Sequence, residues 1–412
     1  MKKLIGTDFR PAKPWGWLIG LVALINSYRL RRHTTLDVRP ADLATLRDLP
    51  PGCIIAPNHA HATIDPRVTL KLVQRAGRRF IFMATREAFD VWRGWQGRFM
   101  QRLGAFSVNR GGDNADALRF AEEVLVEGAY DLLMFPEGNV YLLNDLIMPL
   151  KPGVARFALE THDKLEKQGR SRPVYIVPVA IKYKFTEDIS AALEASIVRI
   201  EEKVFERPQW GETYNRILAI GTELLARSER RYGVTPVQGE PLFERIRRLR
   251  RWLLEDLERK HFGGVREGFD FDRARKLIIR ISGFLMESSP GAEYKGPPDV
   301  PKDDPLKEDW DAATLCARSV AFHDDYLLEN QTPERMAETI NKLWREVLSV
   351  EDAPTFGKRR AITRIAPPLD VGEFVRGQSE ESSRDDLIEA VVIRLHGALQ
   401  GELDAIAREE AQ

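Results

Sequence analysis

Short apolar runs recur along the first half of the chain, at 53–56, 80–84, 104–108, 130–135 and 174–183. Each has the length and composition of a buried strand. Between them lie stretches of helical character, such as 114–127 and 153–168. Strands and helices alternating at this spacing are what βα units need, and they predict an α/β fold. Pro178 falls inside the fifth run and predicts an edge position or a bulge, because proline donates no hydrogen to a ladder. From about 188 to 352 the pattern is helical, without a strand signal. Residues 288–307, rich in Pro, Gly, Asp and Lys, read as a flexible linker. Near the C-terminus, 361–366 alternate apolar and polar positions and end at Pro367-Pro368, as a strand does. Ser383 and Asp386 then give a capping start to a helix running to about Arg408. A strand that short is not stable alone, so it is expected to join the sheet of residues 53–183. On this reading 51–187 and 356–412 make one domain, and 188–355 are a helical insertion into it.

The first fifty residues differ from the rest. They hold nine Lys or Arg against four Asp. Trp15 to Ile25 is an apolar run of eleven, flanked by Lys13 and by Arg29, Arg31 and Arg32. As a helix it is roughly 17 Å long, against about 30 Å for a bilayer core, so it is too short to span. The residues after it offer no small-residue cleavage site of the kind a signal peptide needs. Trp at one end and Arg at the other suit a helix lying in a membrane interface, which predicts a peripheral protein on the cytoplasmic face with a lipid surface as partner. The competing reading is a helix packed on the protein's own core. Arg245 to Glu255 is a second basic amphipathic stretch, read either as a lipid contact or as a solvated face.

Over the whole chain the charges balance at 62 against 62, which leaves no global field for nucleic acid. A length of 412 residues favours two domains, and 43% apolar residues suffice for packed cores. The two cysteines, Cys53 and Cys316, fall in predicted elements and indicate a reducing compartment rather than a disulfide scaffold.

Chemistry concentrates just after the first strand. Pro57 and Asn58 stop it, and Asp65-Pro66 reads as a helix start, with Asp as N-cap and Pro at the first helical position. His59, His61 and Asp65 therefore lie at a strand's carboxyl end, where open α/β sheets place their sites. A His with a carboxylate partner is a general-base pair. The same three residues could instead ligate a metal, as in a metal-dependent hydrolase, but the other five histidines (33, 162, 261, 323 and 396) have no supporting spacing. The plainest alternative makes them ordinary polar loop residues.

Asn58-His59 with Asp65, then Gly104-Ala-Phe-Ser-Val-Asn109-Arg110, Phe135-Pro-Glu-Gly138 and Val177-Pro-Val179, resemble the four ordered motifs of the glycerophospholipid acyltransferases, among them the lysophosphatidic acid acyltransferases. The resemblance covers roughly the first 185 residues. It implies a mixed β-sheet flanked by helices and transfer of a fatty acyl group from acyl-CoA or an acyl carrier protein to a lysophospholipid or glycerol-phosphate-like hydroxyl. It implies no metal and no cofactor beyond that co-substrate. His59 becomes the general base and Asp65 its orienting partner, with His61 in reserve. Asn58, Arg110, Glu137, Gly138, Asn139, Lys151 and Pro178 become substrate-binding candidates, Arg110 as a phosphate clamp. Glu87, in Arg86-Glu-Ala-Phe89, and the strand at 361–366 also resemble the family. Two features depart from it: five residues rather than four separate His59 from Asp65, and Glu137-Gly138 continues Asn139-Val140 where the family has Thr-Arg. These departures motivate one more reading, a catalytically silent protein that binds lipid or an acyl carrier. No Gly-x-Ser-x-Gly elbow is present, so a covalent serine intermediate is not expected.

Overall fold

The computed structural model describes residues 8–90, 94–109, 114–288, 304–323, 326–348, 354–379 and 381–411. Most of the linker expected at 288–307 lies outside the described residues. In chain order the first part comprises α1 (Gly16–His33), β1 (Thr34–Val38), α2 (Pro40–Asp48), β2 (Ile54–Pro57), α3 (Asp65–Arg75), β3 (Phe80–Thr85), α4 (Trp95–Arg102), β4 (Ala105–Val108), α5 (Ala115–Glu127), β5 (Asp131–Leu133), α6 (Gly153–Lys167) and β6 (Tyr175–Phe185). Seven helices follow among the described residues: α7 (Ser190–Phe205), α8 (Thr213–Arg231), α9 (Leu242–Phe262), α10 (Asp270–Ser288), α11 (Lys307–Ser319), α12 (Tyr326–Glu329) and α13 (Pro333–Leu348). The chain then returns with β7 (Arg359–Ile365), β8 (Leu369–Asp370), α14 (Val371–Arg376) and α15 (Arg384–Glu410). By internal contacts, 1–186 with 358–412 form one unit and 187–357 another.

The first unit is built on a mixed eight-stranded sheet in the order β1-β7-β6-β2-β5-β3-β4, with β8 on β6. β7 and β8 run antiparallel to β6, and the remaining pairs are parallel. β2 is buried along its whole length, which suits its unbroken apolar sequence. Alternation sorts the strand residues onto two faces. Ile54, Ala56, Ile176 and Ala180 share a core with Leu125, Phe157, Leu395 and Leu399 of α5, α6 and α15. Ile55, Val177, Val179, Ile181 and Tyr183 share the other with Leu30, Leu46, Leu72 and Val73 of α1, α2 and α3. α15 starts on the expected capping box of Ser383 and Asp386.

Pro178 is not on an edge strand, because β6 lies between β7 and β2, but the register beside it slips by one residue, as at a bulge: Val179 pairs with Ile365 and Ile176 with Leu369. Pro178 stands where β7 has ended at Ile365 and β8 has not yet begun at Leu369. Its carbonyl accepts Ala366 N–H at 3.2 Å on that side, so the missing N–H faces the gap between the two short partners. Residues 34–38, unmarked by the pattern, form β1 and pair parallel with β7 at the sheet edge. The apolar run at Trp15–Ile25 is part of a longer helix of 18 residues. Among the described residues no helix is long and apolar enough to cross a membrane.

Candidate active site

β2 and β5 end near one another while β6 runs on beside them to Phe185, and the loops after β2 and β5 hold the motif residues. Asn58 is buried, and its amide works as a piece of strand: Nδ2 donates to Ile181 O at 3.0 Å while Oδ1 accepts Ile181 N–H at 2.7 Å. Asn144 does the same to Tyr183, at 2.8 and 2.7 Å. The two amides extend the pairing of β6 beyond β2 and fix the loop that follows it. Asn58 is thus engaged by the backbone of β6.

The next residue, His59, carries the central contact. Its Nδ1 lies 2.8 Å from Oδ2 of Asp65. Asp65 is fully buried, and Oδ2 also accepts His61 N–H at 2.6 Å while Oδ1 accepts the Tyr183 hydroxyl. Burial holds that hydroxyl well above its ordinary pKa, so it stays a neutral donor. Asp65 is the first residue of α3 rather than its N-cap, and its carboxylate makes no cap hydrogen bond because the loop has claimed it. An acceptor at Nδ1 fixes the imidazole proton there and leaves the lone pair on Nε2.

Phe135 and Glu137 support the same histidine from the loop after β5. The rings of His59 and Phe135 stack at 4.0 Å with 18° between planes. Glu137 is buried; Oε1 accepts His59 N–H at 2.7 Å, and Oε2 accepts Met148 N–H at 3.3 Å. Burial, against those two hydrogen bonds, raises its pKa to about 7. Gly138 takes a left-handed φ of +65°, and an added Cβ would meet the Lys151 side chain at 3.0 Å. Lys151 also donates its N–H to Pro136 O at 2.7 Å, closing the loop at the start of α6. Asn139 donates to Val140 O at 3.3 Å, a local contact.

His61 occupies a different environment. Its ring stands edge-on to Tyr183 at 4.8 Å, and Nε2 lies 3.3 Å from Nη1 of Arg359 at the start of β7. Burial first, then the Arg359 charge, lowers its pKa to about 4. The two histidines are therefore separated in role: His59 faces a carboxylate and His61 a guanidinium. Among the described residues no group of three or more His, Cys, Asp or Glu side chains gathers to hold a metal ion.

Arg110 lies outside the described residues, as do Gly111 and Gly112. The sequence reading missed Tyr183, Asn144 and Arg359. Tyr183 had a signal, since it alternates in phase with Val177, Val179 and Ile181 and so faces α3. Arg359 had none, being 300 residues away in the chain.

A His–Asp pair with a buried carboxylate, at a strand's carboxyl end, is an arrangement that can take up a proton. Residues 41–182 match a family model described as Acyltransferase. That segment is an acyltransferase domain of the glycerophospholipid acyltransferase family. The match supports an acyl-transferring enzyme. No curated protein matches the chain.

Proposed function

We propose that this protein moves a fatty acyl group from a thioester, acyl-CoA or acyl carrier protein, to a hydroxyl of a lysophospholipid or glycerol-phosphate-like acceptor. The observation that carries the reading is the 2.8 Å contact of His59 with Asp65 inside the acyltransferase segment. Nε2 of His59 takes the acceptor's hydroxyl proton as that oxygen attacks the thioester carbonyl. The C–S bond then breaks, and the thiolate leaves and recovers the proton. Asp65 keeps the imidazole in the required tautomer and steadies its cationic form; Tyr183 and His61 N–H hold Asp65 in place. Burial, and then the Arg359 charge, disfavour a proton on His61, which makes it too weak a base for that role. Asn58, Glu137, Gly138 and Lys151 shape the loops around the base, and Arg110 serves as the acceptor's phosphate clamp.

The enzyme works as a peripheral protein on the cytoplasmic face of the membrane. α1 supports this. Ala23, Asn26 and Leu30 are buried, and Asn26 donates to Arg67 O of α3 at 3.0 Å. Trp17, Leu21, Leu24 and Tyr28 form an exposed apolar stripe on the same helix, with Leu24 72% and Trp17 67% exposed. Arg29, Arg31 and Arg32 follow it, as an interfacial helix on anionic lipid requires. Thioester turnover with palmitoyl-CoA and palmitoyl-carrier donors, over a panel of lysophospholipids and glycerol phosphate, tests the reading. Acceptor-dependent thiol release with formation of the matching acylated product is expected. Release without any acylated product would make the protein a thioesterase, and no release would leave it a binding protein.

A further inference from the structure

The helical unit has its own core, in which Leu249, Leu253, Leu254 and Leu257 of α9 meet Leu277 and Ile281 of α10 and Ala313 and Cys316 of α11. Beside this core, α8, α9, α11, α12 and α13 line a partly open cavity of about 840 Å³. That volume lies within the range of small-molecule sites. Much of its wall is apolar, from residues such as Ile217, Leu218, Leu242, Ile246 and Leu315.

Polar side chains share that wall, and three of them stand out. Lys342 of α13 lines the cavity and is only 2% exposed. Its ammonium donates to Ala321 O at 2.8 Å and faces the rings of Tyr326 and Phe322 at 5.6 and 5.8 Å. Glu338, one turn earlier on α13, is the carboxylate whose charge acts on it, and burial nevertheless lowers its pKa to about 8. An ammonium carries three donors, and buried charges are normally paired. On α11, Trp310 and Thr314 line the cavity, and their buried Nε1 and Oγ1 have no hydrogen-bond partner among the described residues. Such orphans are rare in native structures unless a ligand or water meets them. The other lining cations, Arg227, Arg231, Arg250, Lys307 and Arg318, each form an ion pair with a carboxylate.

We propose that this cavity binds a single-chain anionic amphiphile, its apolar chain along the leucine and isoleucine wall and its anionic head on Lys342, with Trp310 and Thr314 hydrogen-bonding the head or the adjoining oxygen. The shared chemistry is one hydrocarbon chain ending in a carboxylate or a phosphate. The site lies wholly within 187–357 and does not rest on the acyl-transfer reading.

Titration calorimetry on the full chain tests it, with palmitate and 1-palmitoyl-lysophosphatidate as probes below their aggregation concentrations and hexadecanol as the neutral chain. Palmitate is expected to bind at one molecule per chain, and 1-palmitoyl-lysophosphatidate at one molecule here besides any held as acceptor in the acyltransferase unit; the anion bound more tightly at the Lys342-dependent site identifies the head it is built for. Lys342→Met should weaken the anions at least about 10-fold, as loss of a charge-assisted hydrogen bond does, and leave hexadecanol unchanged. Leu315→Trp, which fills the apolar wall without altering charge, should weaken all three and provides the test should Lys342→Met fail to fold. His59→Ala should leave binding intact. Absence of anion binding to the wild-type chain would overturn the proposal. So would binding indifferent to a folded Lys342→Met or Leu315→Trp chain, or binding lost in His59→Ala, which would place the ligand in the acyltransferase unit.

Discussion

The carboxylate of Asp65 accepts from His61 N–H, from the Tyr183 hydroxyl and from Nδ1 of His59, so its geometry is set by the fold before any substrate arrives. Asp65→Asn keeps the shape but can present an N–H where His59 needs an acceptor, which favours the wrong tautomer. In a comparable triad that change costs about 10⁴ in kcat, and a loss of this order is expected here in thioester turnover, with little change in KM. A loss below about tenfold would mean that Asp65 only builds the loop. Glu137 gives a different kind of prediction. Its pKa is about 7 in the folded chain and 4.5 in the unfolded chain, so between these values the folded chain binds the extra proton. Its contribution therefore falls as pH rises from about 4.5 to 7 and is flat above, a change of roughly 3 kcal/mol. His61, lowered to about 4, acts in the opposite sense between 4 and 6.5. The difference in unfolding free energy between wild type and Glu137→Gln isolates the first effect. That difference should decline over the window in urea titrations at a pH series; a constant difference would contradict the buried, raised carboxyl. At this scale His59 and Asp65 were legible because chemistry needs those residue types close together. The holding role of Asn58, shared with Ile181 across 123 positions, was not.

Among the elements, β2 and β6 were plain in the sequence because strands buried on both faces are apolar throughout. β1 was hidden. Thr34-Thr35-Leu36-Asp37-Val38 is short and polar, and its partner β7 starts at Arg359, so nothing local announces the pairing. α1 carries a packed face and an open one: Ala23, Asn26 and Leu30 pack inward while Trp17, Leu21, Leu24 and Tyr28 face out. Its apolar run suggested an eleven-residue segment because hydrophobicity stops at Ile25, whereas the helix continues through its basic end to His33. Because its inner face packs on α3, which carries Asp65, deletion of the helix is a blunt test. Trp17→Glu with Leu24→Glu alters only the exposed stripe. Burying two large apolar side chains is worth about 1.5–3 kcal/mol each, so the double variant should bind anionic vesicles about 100-fold more weakly in a sedimentation assay. Its melting temperature should match wild type. Vesicle binding unchanged in that variant would assign the stripe another role.

For the whole molecule, the sheet closes only with residues far apart in the chain. β7 lies between β1 and β6, and α15 supplies Leu395, Leu399 and Leu403 to the core shared with Ile54 and Ile176. A chain ending at Asp352 leaves β6 unpaired on one side and strips that core. It should be insoluble or lack a cooperative melting transition; a folded, active truncation would show that the first 186 residues suffice. The late strand was readable from its alternation and its Pro-Pro stop, but its neighbours were not, since pairing order depends on contacts that sequence spacing does not encode. The cavity of the helical unit was invisible for the same reason: Lys342 reads as a surface lysine until α13 is packed. The central claim is acyl transfer from thioester to hydroxyl by His59. It is tested most directly by acylated-lipid formation from palmitoyl-CoA and the preferred acceptor, compared among wild type, His59→Ala and His61→Ala. The account predicts that His59→Ala loses about 10²- to 10⁴-fold while His61→Ala stays within about tenfold of wild type. Full activity in His59→Ala, or a larger loss in His61→Ala, would contradict it.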